Sequence, residues 1–346
     1  MNTSGPWKPI YLEVFERRIE KAIIRQTVAD DLKTAVINVK GVLDYPSDDQ
    51  QVVVELLGPD GSLIQRNTAR TFEAKFEASL TIKNPQLWYP HSYGGQPLYT
   101  VTVQLPGHDS TSRKIGLRRL RLLQHPLKSE PGTSFVFEIN NIRIFSGGSC
   151  WIPGDFMLPR MTRKRYSDWL KIAKSGNQTA IRVWGGGIVE SNDFYDICDQ
   201  EGILVWQDFL FACGNYPAST DFLENVKNEV DQQLTRVGHH ASLALWAGNN
   251  EDYMVAERWG WDLDMDDEKG PWDHTNFPAR EIYERLLPDL VKELGGDVPY
   301  WRSSPYGGSF SNDTTVGDTH IWDGEFSYEQ HRGQNWTNCV PPSLAW

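Results

Sequence analysis

The chain has few cysteines, no long apolar run, no surplus of positive charge, and none of the short signatures of the commonest nucleotide, zinc and serine chemistries. Each absence excludes something. Cys150, Cys198, Cys213 and Cys339 stand far apart with no CxxC pair, so neither a zinc site nor a disulfide framework is expected and the thiols are read as reduced. No stretch of about 18 apolar residues occurs, and the first nine residues lack the apolar core of a signal peptide, so no membrane helix is expected and a cytoplasmic address is. The Asn-x-Ser/Thr triplets at Asn2, Asn177, Asn312 and Asn335 carry no meaning without secretion. Net charge is −12, from 34 Lys and Arg against 46 Asp and Glu, so a nucleic-acid groove or a membrane-surface contact would need a local basic patch. The one dense basic run, Arg113 to Arg121, alternates in part with Ile and Leu and suits a strand with one wet face. No nucleic-acid or membrane partner is therefore expected.

What is present is a globular composition. Apolar residues make up 39% of 346, charged residues 23%, and the chain carries 14 Trp. At about 150 residues per domain, the length suggests two domains or one plus a fragment. Two textures divide the chain near residue 125. Before it, short β-branched segments such as 33–43, 51–57 and 97–105 alternate with turn chemistry at Tyr45-Pro46, Gly58-Pro59-Asp60-Gly61 and Pro106-Gly107. About seven strands in this span predict an immunoglobulin-like β-sandwich without the antibody disulfide.

After Arg121 the rhythm becomes strand, loop, helix. Strands are predicted at 142–145, 179–184, 203–208, 242–246, 298–302 and 316–322, with helices at 163–175, 192–201, 220–236 and 279–295. This alternation predicts parallel strands joined by crossovers. Aromatic, Gly and polar residues cluster at the strand ends, where a (β/α)8 barrel carries its chemistry. A doubly wound sheet would also place ligands there, but Gly185-Gly186-Gly187 lacks the spacing of a phosphate-binding turn. Six predicted strands are two short of a closed TIM barrel.

Further exclusions narrow the chemistry. The run Asp262 to Glu268 alternates acidic residues, but a calcium loop starting at Asp262 would need Gly where Asp267 stands and Glu where Asp273 stands. His239 and His240, being adjacent, are expected to cap or pack and not to chelate together. No metal site follows. What remains is carboxylate beside aromatic, the chemistry of sugars, whose rings offer an apolar face and a rim of hydroxyls. Of the Trp residues, 12 lie after residue 150; Trp184, Trp206, Trp246 and Trp322 fall at predicted strand ends and are candidate platforms, while Trp169 is assigned to helix packing. Glu251 follows the apolar strand around Leu243–Trp246 and two amides, Asn249 and Asn250, and is the candidate acid for glycoside cleavage.

At these residues the sequence resembles a known family. Gly148-Ser-Cys-Trp151-Ile-Pro-Gly-Asp155, Ile181-Arg182-Val-Trp184-Gly-Gly-Gly187, Trp206-Gln-Asp208-Phe and Leu245-Trp-Ala-Gly-Asn-Asn250-Glu251 are similar to segments of the β-mannosidases of glycoside hydrolase family 2. Tyr300 to Gly308 and Thr315 to Trp322 look like the fungal intracellular type. Asn84-Pro-Gln-Leu-Trp88-Tyr-Pro90 and Ile115-Gly116-Leu-Arg118 look like that family's immunoglobulin-like domain and the strand leading from it. The resemblance implies residues 1–16 as the remnant of an N-terminal sugar-binding-type sandwich, with Trp7–Leu12 as its last strand. It further implies 17–124 as the immunoglobulin-like domain, 125–330 as a (β/α)8 barrel lacking its last strands, and 331–346 as a divergent tail.

The same resemblance implies a retaining exo-β-mannosidase acting on terminal, non-reducing β-mannose of an oligosaccharide, without metal or organic cofactor. Glu251 would be the acid/base and Asn250 would bind the sugar 2-hydroxyl. Arg182, Trp184, Asp208, Trp259, His320 and Trp322 would line the terminal mannose subsite. Asn-Asn-Glu, in place of the Gly-Asn-Glu or Ala-Asn-Glu of β-galactosidases and β-glucuronidases, argues for mannoside over those relatives.

One part of the pattern is missing. The family's nucleophile is a Glu in a Ser-Glu-Phe-Gly segment ending the seventh barrel strand, and none follows Trp322. Glu325, in Gly324-Glu325-Phe326, imitates it but is separated by three residues from the preceding strand, too few for a crossover of about ten or more. No nucleophile is therefore assigned, and a truncated or mis-spliced product with weak or no turnover is expected. The competing reading is a non-catalytic fragment or sugar-binding remnant. Open sheet edges in an incomplete barrel further predict aggregation or poor expression.

Overall fold

A computed structural model describes residues 5–45, 48–267 and 269–321. Seven strands form the first module: β1 (Ile19–Val28), β2 (Thr34–Leu43), β3 (Gln51–Leu57), β4 (Leu63–Arg70), β5 (Lys75–Lys83), β6 (Tyr99–Leu105) and β7 (Asp109–Ile115). They make one sheet of order β1-β2-β5 and another of order β4-β3-β6-β7, all neighbours antiparallel. The cause is strict alternation. Ala35, Ile37, Val39 and Leu43 of β2, Val52, Val54 and Leu56 of β3, and Val101 and Val103 of β6 all turn inward into one apolar core. Gly41 interrupts the β2 row because a Cβ there would stand 2.2 Å from the Phe76 ring.

The predicted strand through the basic run is broken. β7 ends at Ile115, and β8 (Leu120–Leu123) begins a second, three-stranded antiparallel sheet with β9 (Val136–Ile139) and β10 (Ile142–Ile144). Between them Arg118 is not on a wet face but 2% exposed. Its guanidinium donates to the carbonyls of Ala241 and Leu243, both at 2.6 Å, and pairs with Asp297 at 2.7 Å. Trp88, fully buried, adds an Nε1 hydrogen bond to the Asp199 carbonyl. The sandwich is thereby bonded to the third module.

That module is a five-stranded parallel sheet in sequence order: β11 (Gly148–Trp151), β12 (Ala180–Val183), β13 (Leu204–Asp208), β14 (Leu243–Ala247) and β15 (Tyr300–Trp301). Between the strands run α1 (Arg163–Ser175), α2 (Asn192–Glu201), α3 (Thr220–Val237), then α4 (Asp252–Trp259) and α5 (Leu287–Leu294), the last preceded by a π-helical turn, Ile282–Leu286. β13 and β14 are buried along their whole length, as parallel strands covered on both faces must be. Sandwich followed by part of a (β/α)8 barrel is the observed architecture.

Three predicted elements differ. Residues 142–145 are not the first barrel strand; β10 pairs antiparallel with β9, and the first parallel strand is Gly148–Trp151. Gly148 is required there, since a Cβ would lie 1.8 Å from the Ala180 carbonyl oxygen across the ladder. Residues 316–321 form no strand: Gly317 takes φ +72, and Asp318 makes an isolated antiparallel bridge to Tyr306. Trp7–Leu12 forms no strand either, having no ladder to join among the described residues. Trp322, Glu325 and the tail 331–346 lie outside the described residues.

Candidate active site

The carboxyl ends of β12, β13, β14 and β15 converge, and pairing resumes beyond them. Asn250 bridges Ala212 on one side and Ser304 on the other, both parallel. The Asn250 and Glu251 amides donate to the carbonyls of Phe211 and Ser304, each at 2.9 Å, so the turn after β14 is fixed from both flanks. Glu251 there adopts φ +69, a left-handed conformation uncommon for a side chain of its size and worth about 1–2 kcal/mol of strain. Such strain persists where the surroundings impose it. Asn249 locks the turn from beneath: its Oδ1 accepts from the Asp252 amide (3.1 Å) and Ser303 Oγ (2.7 Å).

Five of the residues singled out in the sequence come together. Arg182, on β12, pairs with Asp208 at the end of β13 through two parallel hydrogen bonds, Nε to Oδ1 (3.2 Å) and Nη2 to Oδ2 (2.8 Å). Its Nη2 also donates to Asn250 Oδ1 at 2.9 Å, and its Nη1 lies 3.1 Å from His320 Nε2. His320 Nδ1 stands 2.7 Å from Glu251 Oε1. The fork geometry of a guanidinium suits this role, holding a carboxylate on one edge and an amide and an imidazole on the others.

Electrostatics follow from these contacts. Burial pushes the Asp208 carboxyl above the ordinary range, opposed by Arg182, the Gly185 amide and Trp206 Nε1. Burial alone would raise Glu251 as well, but the His320 hydrogen bond and charge, the Cys213 thiol and Arg182 prevail and hold it below the usual carboxylate range. Asp252, the next residue, is pushed up to about 7 by burial, against donors from Tyr283, Gly214 and Cys213. Two adjacent carboxyls are thus driven in opposite directions.

The tryptophans divide. Trp184 is half-buried at the mouth, and Gly186 lies under it: a Cβ at 186 would come within 2.0 Å of the ring. Gly185 likewise has no room, with the Phe211 carbonyl oxygen 2.6 Å from its absent Cβ. Of the glycine triplet, Gly186 makes room for the Trp184 ring. Trp206 and Trp246 are not platforms but core: Trp206 is 5% exposed with Nε1 on Asp208, and Trp246 is fully buried and stacked on Phe209 at 5.1 Å. Trp259, at the far end of α4 from Glu251, is 71% exposed. Trp169 is 48% exposed on α1, so the packing expected of it is partial.

Sequence reading passed over three members. Cys213 Sγ lies 3.4 Å from Glu251 Oε2 and equally far from Asn250 Nδ2. Ser304 Oγ reaches both His320 Nε2 (2.9 Å) and Asp318 Oδ2 (2.7 Å). Asp318 is buried and also accepts from Trp301 Nε1 and the Tyr306 amide. Asp318 was legible as the first residue of Asp-Thr-His320; Cys213 and Ser304 lie on loops whose pairing only the fold reveals. Elsewhere, His240 is buried and bonded to Asp199 at 2.7 Å, as packing predicted. In the acidic run, Asp262 accepts from the Asn276 amide, Asp264 from the Asp266 amide, and Asp267 from Lys269, Gly270 and Trp272.

The chain is similar over most of its length to several known proteins. Residues 17–118 match the model of Glycosyl hydrolases family 2. The chain is similar to β-mannosidase B of Thermothelomyces thermophilus, with 44% identity over 98% of this chain and 40% of the relative. A β-mannosidase B of Aspergillus oryzae is 40% identical over 93% of this chain and 39% of its own length. Among solved structures, the β-D-mannosidase of Dictyoglomus thermophilum aligns with a TM-score of 0.76 and 35% identity over 90% of this chain and 38% of that one. A Parabacteroides merdae β-glucuronidase, with TM-score 0.62 and 19% identity over 80% of this chain and 32% of that one, shares the fold. The chain spans about two fifths of the length of the curated relatives it matches.

Proposed function

We propose that the chain is part of a glycosyl hydrolase of family 2, that the Glu251 cluster takes the terminal mannose of a β-mannoside, and that Glu251 is the acid/base of a retaining exo-β-mannosidase. The observation that carries this is the Asn250–Glu251 turn, held against Arg182, Asp208 and His320 at the strand ends. In this reading Asn250 binds the sugar 2-hydroxyl, Arg182, held in place by Asp208, meets the hydroxyl rim, and half-buried Trp184 takes the apolar face. Trp259 belongs to the reading only as an outer wall. The names of the relatives support the mannoside over a galactoside or glucuronide.

As held here, Glu251 is ionised, which is the form that draws a proton from water in the second half of a retaining reaction. Protonating the leaving oxygen in the first half requires its pKa to rise, as a facing nucleophilic carboxylate would make it do. Asp208, Asp252 and Asp318, the carboxylates packed around Glu251, are all spent on internal donors. That favours the second reading, a site that binds the sugar but turns it over weakly. A cytoplasmic address goes with either reading. It is supported by Cys150, Cys198 and Cys213 being free. Separately, among the described residues no helix is long and apolar enough to cross a membrane.

The test is release of p-nitrophenol from its β-mannoside by the purified chain beside Glu251→Gln, with mannose binding followed by calorimetry. Turnover lost in the variant supports the catalytic role, and binding without turnover in either protein supports the second reading. Neither binding nor turnover from folded protein overturns both.

A further inference from the structure

A cleft of about 330 Å3 lies where the outer strand of the sandwich meets the flank of the barrel. One wall is Thr100 of β6 with Arg113 and Lys114 of β7; the other is the face of α2 that carries Asn192, Asp196 and Gln200, spaced four residues apart. His239 and His240 lie at its base. Its size is that of a small-molecule site.

The charges in the cleft are not balanced. Arg163, at its rim, is engaged by Asp193 at 2.6 Å and Asp196 at 3.6 Å. Arg113 has no such partner among the described residues: its guanidinium donates to Thr111 Oγ1 and the Ser112 carbonyl. Lys114 makes no ion pair among the described residues. His240 is committed to Asp199, while the ring of His239 stacks on it at 4.2 Å and makes no hydrogen bond of its own among the described residues. Burial, with His240 beside it and the cationic Arg113, Arg25 and Arg236 around it, drives the His239 imidazole well below its ordinary pKa. Three cations, Arg113, Lys114 and Arg163, thus line the cleft against one carboxylate, Asp196, in a chain of net charge −12.

We propose that this cleft binds a dianionic phosphoryl group, free or carried by a sugar, held by Arg113 and Lys114 with His239 beneath. The cleft lacks Trp, Tyr and Phe among its lining residues, so a neutral sugar would find no ring platform and the affinity has to come from charge. Arg113 and Lys114 both line the cleft, from the two faces of β7, and guanidinium and ammonium groups are the usual receptors for phosphoryl oxygens. The amides of Asn192 and Gln200 and the Thr100 hydroxyl then face the remainder of the molecule and suit hydroxyls. This site shares no residue with the Glu251 cluster, so it stands whatever becomes of the glycosidase reading.

Calorimetry of the whole chain at low ionic strength, with sodium phosphate, glucose 6-phosphate and glucose as titrants, tests it. Phosphate is expected to saturate one site with a Kd of ~1 mM or tighter, and glucose to give no heat. Glucose 6-phosphate binding more tightly than phosphate identifies a sugar-borne group; equal affinity identifies phosphate itself. Arg113→Gln with Lys114→Gln is expected to weaken binding about tenfold or more with the melting temperature unchanged. Lys114→Gln alone, at an exposed position, gives an intermediate loss should the double variant fold poorly. No saturation by about 10 mM phosphate, or undiminished binding in a folded variant, overturns the proposal.

Discussion

The two modules fill their interiors by opposite means. Between β1 and β7 the buried core is aliphatic and aromatic and includes no charged side chain. Around the parallel sheet, Arg182, Glu190, Asp199, Asp208, Asp252, Arg280 and Asp318 are all within 4% of complete burial. Apolar burial stabilises roughly in proportion to area, whereas a buried ion pair at best offsets its own desolvation. A module that keeps charges in its interior therefore keeps them for some purpose other than holding together, and four of these, Arg182, Asp208, Asp252 and Asp318, stand around the Asn250–Glu251 turn.

Breaking the charged interior should have the largest effect. Arg182→Met leaves the Asp208 carboxylate buried without its cation, and the expected cost is about 3–5 kcal/mol in urea unfolding, with sugar binding lost because Asn250 and His320 lose a shared anchor. Asp252 gives the next effect, and its sign is fixed. A carboxyl raised to about 7 favours the folded state most where it is protonated, below the ordinary Asp range, and loses that advantage as pH climbs through 7. Melting temperature should thus fall from pH 5 to pH 8 in the native chain and fall less in Asp252→Asn; equal slopes would show Asp252 ionised throughout. Ile37→Val, in the sandwich, should cost about 0.5–1.5 kcal/mol and leave sugar binding untouched. The exposed pair Lys40–Glu77 should be smallest of all, with no measurable change in stability for Lys40→Gln.

The same contrast governs what could be read in advance. β3 was legible to the residue and β2 to within one, because alternating β-branched residues state both the element and its buried face. Helices α1 and α2 likewise fell on their predicted spans. In the barrel flank the errors were at β11, where Gly-Ser-Cys-Trp carries no alternation, and at 316–321, where Asp318 is turned inward to three donors and draws the chain out of the sheet. Of the site, Glu251, Asn250, Arg182, Asp208 and His320 could be found from sequence because each stands in a motif at a strand end or in a longer matched segment. Trp206 and Trp246 could not be sorted from Trp184 that way. Whether an indole at a strand end faces the mouth or the core depends on the pleat and on neighbours such as Gly186, which a linear pattern does not contain.

Arg118 has a consequence for inheritance. Its side chain belongs to the link leaving the sandwich, yet its bonds end on the carbonyls that begin β14 and on Asp297 before β15. Recombination that exchanged the sandwich for another of the same shape would cut across these bonds, leaving two open carbonyls at the start of β14 and Asp297, before β15, without its cation. Modules joined in this way are transmitted as a pair, and a chimera with a foreign sandwich would need an arginine at the same place in its exit strand before β14 could set the turn that holds Glu251.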